Sequence, residues 1–275
     1  MAASRERANE YEAFYRGFNS PLMRQIRREA YGEDIGQHSW VGAAELRKDA
    51  LRLSLHPESR LLDLGSGPCG PLTFLIAESG CTGVGLELSP SAIEVGSIRA
   101  AELGIQARFA AWVADLNDPL PQGLGRFDCA MAIDVVLHVR DRQALYSQVS
   151  AALRQGGRFL LTDAGVLTGA ASNDELQRRS VHGYTQFVPR GWNEHLLEAT
   201  GFRILETEDR TSSVLRNAQG RLAAMHAHRE ELEALPGVAS YGAQTAYLNV
   251  VAELASRGAV SRIMYLAEVP SHTAG

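Results

Sequence analysis

The sequence predicts an α/β fold: a mostly parallel sheet of seven strands with helices on both faces, under an N-terminal helical lid and further insertions. Three observations carry this expectation. From Arg60 onward, β-rich runs alternate with helical periodicity, the pattern of parallel strands joined by crossover helices. Runs such as FDCAMAI are apolar nearly throughout, as strands buried on both faces must be. The first strand leads directly into Gly65, Gly67 and Gly70 in the stretch LLDLGSGPCG, spaced for a tight turn into a helix.

Residues 1–30 read as a helix in which Tyr11, Phe14, Tyr15, Phe18, Leu22 and Ile26 recur at spacings of three and four. Such an aromatic stripe either packs on the core or lines a pocket as a lid. The stretch YGEDIGQHSWV is rich in glycine and polar residues, hence a loop, and 43–55 returns to helical periodicity. Residues 1–55 are accordingly the lid and 56–275 the core. The core reads as strand 60–64, helix 71–79, strand 82–87, helix 90–103, strand 107–113, strand 127–133, helix 141–153, a Gly156-Gly157 turn and strand 158–163. Segment 165–190 lacks a long apolar run and reads as an insertion. A helix at 191–200, a strand at 202–208, helices at 217–234 and 242–257 and a strand at 263–269 follow, with 212–258 forming a second cap insertion. No internal repeat, low-complexity tract or linker is evident.

With 275 residues, 45% of them hydrophobic and 21% charged, the composition is that of one large globular domain, or one domain with a cap. A formal charge of −5 provides no basic footprint for nucleic acid, so small molecules are the expected partners. Neither a membrane span nor a signal peptide is expected, because no run of about 18 apolar residues occurs and MAASRERANEYEAF has no apolar stretch. Cys69, Cys81 and Cys129 are odd in number and lie in or beside the core strands and the glycine turn, which suits reduced thiols in the cytoplasm. Lys48 is the only lysine among 27 basic residues, an arginine bias that points to a GC-rich bacterial genome. His226 and His228, two apart, diverge on a helix and face solvent, so no metal site is expected there.

Gly65, Gly67 and Gly70 satisfy G-x-G-x-x-G, a pattern shared by several nucleotide cofactors. Asp63 discriminates among them. It ends the first strand, where a dinucleotide would put its pyrophosphate, and two like charges about 4 Å apart at an effective dielectric of about 20 repel by about 4 kcal/mol. A carboxylate there suits a cationic ligand. The carboxyl ends of strands are where open α/β sheets bind ligands, and further acids fall at those ends. Glu87 closes the second strand, where a carboxylate can accept both hydroxyls of a ribose; Asp115 in WVADLND follows the third and Asp134 in MAIDVVLH the fourth. Any one of them could merely cap a helix; four at successive strand ends describe a ligand site. A nicotinamide-dependent oxidoreductase is the alternative for the glycine turn, opposed by Asp63 and by the lack of a Ser/Tyr/Lys or His/Asp set for hydride transfer.

These motifs resemble the class I S-adenosylmethionine (SAM)-dependent methyltransferases over about residues 40–211. LLDLGSGPCG is similar to the family's first motif, GVGLELSP to its second, RFDCAMAIDVVLHV to its fourth, and LRQGGRFLLTDA to its turn into strand five. The resemblance implies a Rossmann-like fold and an enzyme that uses SAM and releases S-adenosylhomocysteine (SAH). It further implies that Asp63, Gly65, Ser66 and Gly67 lie along the methionine portion, with Asp134 nearby. Glu87 would bind the ribose and Asp115 the adenine amino group, while Leu88 and Leu116 flank the adenine. SAM carries a sulfonium and an ammonium but no phosphate, in keeping with the acids. Two departures stand out: Cys69 occupies the place of the third glycine, with Gly70 one later, and Gln155 replaces the usual proline before the glycine pair.

The fourth motif, Ile133-Asp134-Val135-Val136, is unlike the Asn/Asp/Ser-Pro-Pro-aromatic tetrad of DNA-base methyltransferases. The lid, the GQHSW loop and the 165–190 insertion instead resemble the roof of small-molecule N- and O-methyltransferases, including the glycine-betaine and phosphoethanolamine groups and tailoring enzymes of natural-product and antibiotic pathways. By that resemblance Tyr11, Tyr15, Gln37, His38, Ser39 and Trp40 close over SAM, while Phe14, Phe18, His138, Tyr184 and Phe187 meet the acceptor. His138 and Tyr15 are the catalytic candidates, and His138, beside the end of the fourth strand, suits a general base because imidazole exchanges protons near neutrality. A SAM-binding regulatory protein without catalysis would share the binding residues.

Overall fold

The computed structural model describes residues 15, 17–180, 184–234 and 241–271. Its sheet comprises β1 (Arg60–Leu64), β2 (Thr82–Glu87), β3 (Phe109–Val113), β4 (Phe127–Ile133), β5 (Leu153–Leu167), β6 (Val188–Pro189), β7 (Arg203–Asp209) and β8 (Val260–Glu268). The order is β3-β2-β1-β4-β5-β8-β7, with β6 paired to β5 off that path. β8 runs antiparallel to both neighbours, and the other pairs are parallel. The seven expected strands are present; β6, two residues long and inside segment 165–190, is an addition. Successive strands step outward from β1 to β3, and the chain then returns to place β4 on the other side of β1, opening a crevice at the carboxyl ends of β1 and β4.

Alternation along the central strands divides the core between two faces. Leu62, Leu64, Ala130, Ala132, Phe159 and Leu161 pack on one side with Tyr146 and Val149. Leu61, Cys129, Met131 and Leu160 pack on the other with Leu46, Leu72, Leu75 and Ile76. These partners come from α2 (Ala43–Arg52), α3 (Gly70–Ser79) and α5 (Arg142–Ala152), with α4 (Pro90–Glu102) adding Ala100 to the second face; α1 (Pro21–Tyr31) precedes them in the chain. After β5 come α6 (Asn173–Arg179), α7 (Trp192–Ala199), α8 (Thr211–Ala227), α9 (Arg229–Ala234) and α10 (Tyr241–Ser256).

The helix expected over 1–30 is interrupted within its described part. Residues 17–20 turn, and α1 then starts afresh: Ser20 Oγ accepts from Met23 N at 3.3 Å, Pro21 occupies the first turn, and Gly32 at φ 79° closes the other end. The helix expected at 217–234 is two, α8 beginning earlier and α9 following a break at His228. His228 does not simply face solvent: its ring meets Glu29 at 3.0 Å and Glu231 at 3.1 Å, tying α1 to α9. Helices α1, α8 and α10 pack together, burying Ile26, Val214, Ala218, Met225, Leu248 and Val251 around Trp40. Among the described residues no helix is long and apolar enough to cross a membrane.

A buried charge cluster joins these layers. Arg262 of β8, fully buried, donates to Asp134 Oδ1 at 2.7 Å and to Glu45 Oε1 at 2.6 Å. Arg210 bridges Glu45 and Asp49 at 3.1 and 2.6 Å. Buried guanidiniums need such partners, since an unpaired charge in the interior costs several kcal/mol.

Candidate active site

A cavity of about 470 Å³ opens over the carboxyl ends of the central strands, within the usual size of a small-molecule site. Its floor is Asp63 and the glycine turn, Glu87 and Leu88, Asp115 and Leu116, and Asp134, Val135 and Leu137 to Val139. Tyr15, His38, Ser39 and Trp40 cover it, and Arg179, Arg221, Gln244 and Tyr247 close the far side.

The glycine turn is tightly constrained. Gly65 has φ 66°, and a Cβ there would come within 2.2 Å of Val135. Cys69 adopts the left-handed conformation, φ 55°, that a glycine would favour. Gly70 is needed for another reason, since a Cβ would fall 2.1 Å from the Gly36 carbonyl oxygen. The departure noted at position 69 is therefore an exchange of tasks, in which cysteine carries the turn and glycine admits the 34–37 loop. Burial pushes the Cys69 thiol up, so it stays protonated.

Asp63 is only 2% exposed, and its Oδ2 has no hydrogen-bond partner among the described residues. Burial, reinforced by the charge of Glu87, drives its carboxyl well above the ordinary range. Glu87 is buried too; Gly67 N donates to its Oε2 at 2.8 Å and Ser89 N to its Oε1 at 2.9 Å, which offsets part of the burial that raises its pKa. Two buried carboxylates facing one crevice favour a positively charged occupant. The residues at the remaining strand ends differ from each other. Asp115 Oδ1 accepts from Asn117 N at 3.0 Å and from its amide at 2.9 Å. Asp134, at φ 56°, accepts from Trp40 N at 3.0 Å through Oδ2, and from Thr162 Oγ1 and Arg262 Nε, both at 2.7 Å, through Oδ1. Its carboxylate is thus engaged by protein, and Asp134 shapes the cavity by holding Trp40.

His138 lines the cavity with its Nδ1 2.9 Å from the Tyr184 carbonyl oxygen. A carbonyl only accepts, so Nδ1 carries the proton and, in the neutral ring, Nε2 carries the lone pair. Tyr184 itself contributes that carbonyl; its ring lies under the Arg140 guanidinium at 5.4 Å and does not line the cavity. The Tyr15 hydroxyl lies 3.4 Å from where a Cβ on Gly67 would stand, which sets it against the glycine turn. Phe18, Gln37 and Phe187 stand off the cavity. Phe18 packs edge-on to Tyr15 and His38 beneath the Arg27 guanidinium. Gln37 folds the preceding turn, accepting from Ile35 N at 3.0 Å and donating to Glu33 O at 3.2 Å. Phe187 packs with Val250, Leu254 and Val260. Tyr11 and Phe14 lie outside the described residues. Arg179, Arg221, Gln244 and Tyr247 are cavity residues that sequence reasoning missed. One signal for the first was present: Ser172 and Glu175 form a capping box that marks the start of α6, which ends on Arg179.

A family profile described as a methyltransferase domain matches residues 55–206, more than half of the chain. The chain belongs to the methyltransferase domain family. Among similar proteins, methyltransferase GfsG of Streptomyces halstedii is 29% identical over 164 residues, 58% of each chain. The sarcosine/dimethylglycine N-methyltransferase of Halorhodospira halochloris is 29% identical over 174 residues, 62% of this chain and 61% of that one. The methyltransferase domain chain thus spans about three fifths of the length of these two relatives. Among solved structures, Haemonchus contortus phosphoethanolamine N-methyltransferase 2, in complex with phosphomonomethylethanolamine and SAH, superposes with a TM-score of 0.77 at 21% identity, covering 93% of this chain and 59% of that one. The Mycobacterium tuberculosis cyclopropane synthase MmaA2 also gives 0.77, at 18% identity over 95% and 98% of the two chains. At such identities the likeness is one of fold, that of class I SAM-dependent methyltransferases. The stretch matched by the methyltransferase domain profile contains Asp63, Glu87, Asp115, Asp134 and Arg179, whereas Trp40, Arg221 and Tyr247 fall outside it.

Proposed function

We propose that this protein transfers a methyl group from SAM to an amine or hydroxyl of a small molecule. The observation that carries the reading is Asp63: a buried carboxylate with an unpartnered oxygen, beside a second buried carboxylate, at the sheet's reversal point. The donor set fits the group. Asp63 would take the methionine ammonium, the turn from Gly65 to Gly67 would admit its chain, Glu87 would accept from the ribose, and Asp115 with Leu88 and Leu116 would hold the adenine. Bound SAM supplies an electrophilic methyl on sulfonium. The protein's part is to hold the acceptor in line with it, which for well-oriented reactants contributes up to about 7–11 kcal/mol. His138, whose Nδ1–H is directed to Tyr184 O, is suited to remove a proton at Nε2 from a hydroxyl acceptor, an aid of about 10²–10⁴-fold. Tyr15 acts at the glycine turn, closing the donor end.

A nicotinamide role is disfavoured by the same carboxylates, which would face a pyrophosphate. Placement in bacterial secondary metabolism, antibiotic biosynthesis included, is supported by the arginine-rich composition and by similarity to the Streptomyces halstedii methyltransferase; a cytoplasmic setting is supported by three free, buried cysteines. Incubation with methyl-labelled SAM and a panel of amines and phenols tests the proposal by transfer of label. SAM binding without transfer to any acceptor class would favour a regulatory protein instead.

A further inference from the structure

Five arginines are buried among the described residues: Arg27, Arg142, Arg179, Arg210 and Arg262. Four of them sit on carboxylates, Arg27 on Asp34 at 2.7 Å, Arg142 on Asp163 at 2.6 Å, Arg210 on Asp49 at 2.6 Å and Arg262 on Asp134 at 2.7 Å. Arg179 is the exception, and it is also the one of the five that lines the large cavity. Only 6% exposed, it donates to the Tyr247 hydroxyl at 2.7 Å and to Ala164 O at 3.5 Å, both neutral, and its guanidinium lies 5.2 Å from the Tyr247 ring and 5.9 Å from that of Trp40. A second guanidinium on the same wall, that of half-buried Arg221, stands 5.5 Å from the Trp40 ring. Among the described residues it too has no carboxylate partner. Two cations therefore lie against one indole ring without a carboxylate partner among the described residues, while Asp134, an acid lining the same cavity, is already engaged by Arg262.

Ring faces repay only part of a guanidinium's lost hydration. The planar fork of arginine is best satisfied by an oxyanion, which it can hold through two parallel hydrogen bonds. Trp40, Leu137, Ala164 and Tyr247 around it offer apolar and aromatic contact. We infer that the small-molecule occupant of this wall is an oxyanion, a carboxylate or a phosphate monoester, on an apolar or aromatic body, held by Arg179 and Arg221. Taken with the proposed methyl transfer, on which the word acceptor rests, this occupant is the methyl acceptor: its charged end is anchored at α6 and α8, and its amine or hydroxyl is turned toward His138 and the donor end.

The test is calorimetric titration of the SAH-saturated protein with phenylacetate, phenyl phosphate and neutral phenylacetamide. At least one anion is expected to bind about tenfold tighter than the amide, and the tighter of the two identifies carboxylate or phosphate as the natural group. Arg221→Gln should weaken that anion about tenfold while leaving SAH and phenylacetamide affinities unchanged, and Arg179→Lys should weaken it as well. The inference is overturned if the amide binds as tightly as both anions, if neither anion binds at millimolar concentration, or if Arg221→Gln leaves anion affinity unchanged. Absence of SAH binding would instead remove the methyl-transfer reading, and the same titration of the ligand-free protein would still decide the anion site.

Discussion

Replacing Asp63 by asparagine separates the two consequences of burying a carboxylate without a partner. The side chain keeps its shape and loses its charge. If Asp63 receives the ammonium of SAM, the lost attraction at a charge-to-charge separation of roughly 4 Å and an effective dielectric of about 20 is about 4 kcal/mol. The asparagine carbonyl still accepts a hydrogen bond, so affinity for SAM and SAH should fall by about 10²-fold. The ligand-free protein should respond in the opposite direction. The Asp63 carboxyl is raised well above its ordinary value of 3.8 by burial and by Glu87, so the folded state holds its proton more tightly than the unfolded chain does. The stability it contributes is therefore complete below that ordinary value and is lost as pH rises through the raised one. The asparagine variant has no such loss, and without ligand it should unfold at a higher temperature than the parent at the alkaline end of that window. Calorimetric titration and thermal unfolding across pH measure both. An affinity within about threefold of the parent would refute the assignment of Asp63 to a cation, since that corresponds to less than 1 kcal/mol.

His138→Ala should lower turnover of a hydroxyl acceptor by about 10²–10⁴-fold while SAH affinity, read by titration, stays level; equal rates would remove the imidazole from the chemistry. Arg262→Met leaves Asp134 and Glu45 without their buried cation and should cost about 3–5 kcal/mol in urea denaturation, whereas a loss under about 1 kcal/mol would mean that the pairs barely exceed their own desolvation. Gly70→Ala opens a contest of signs: helix propensity predicts a gain of about 1 kcal/mol, but a Cβ 2.1 Å from Gly36 O must displace the 34–37 loop. Overpacking typically costs about 1–3 kcal/mol, so the melting temperature should drop; a rise would show that the loop yields freely.

The central strands β1, β2 and β4 were legible because they are buried almost throughout and read as nearly continuous apolar runs, and because each acid at a strand end has a fixed relation to the strand before it. Asp63, Glu87 and Asp115 could be placed on the cavity from local pattern alone. Asp134 could be placed but not interpreted: its partner Arg262 lies 128 residues away, and nothing within SRIMYLAE announces that an arginine in a strand will turn inward to meet it. Arg179 and Arg221 were illegible for a similar reason. They sit in polar helices, NDELQRR and the middle of α8, where an arginine reads as a solvated face, and only the docking of those helices over Trp40 brings them to the cavity. The aromatic stripe misled in part, since the turn at 17–20 shifts Phe18 behind His38 and off the cavity wall.

Trp40 is gripped through its backbone from both halves of the molecule: its N–H donates to Asp134 of the sheet, and its carbonyl accepts from Asn217 Nδ2 of α8 at 2.6 Å. One residue thus works as a clasp between the floor and the helical cap. A cap exchanged over the retained floor must bring a donor for the Trp40 carbonyl in place of Asn217. Without it the Trp40 backbone would be held by Asp134 alone, and the indole that both arginines approach would lose one of its two anchors.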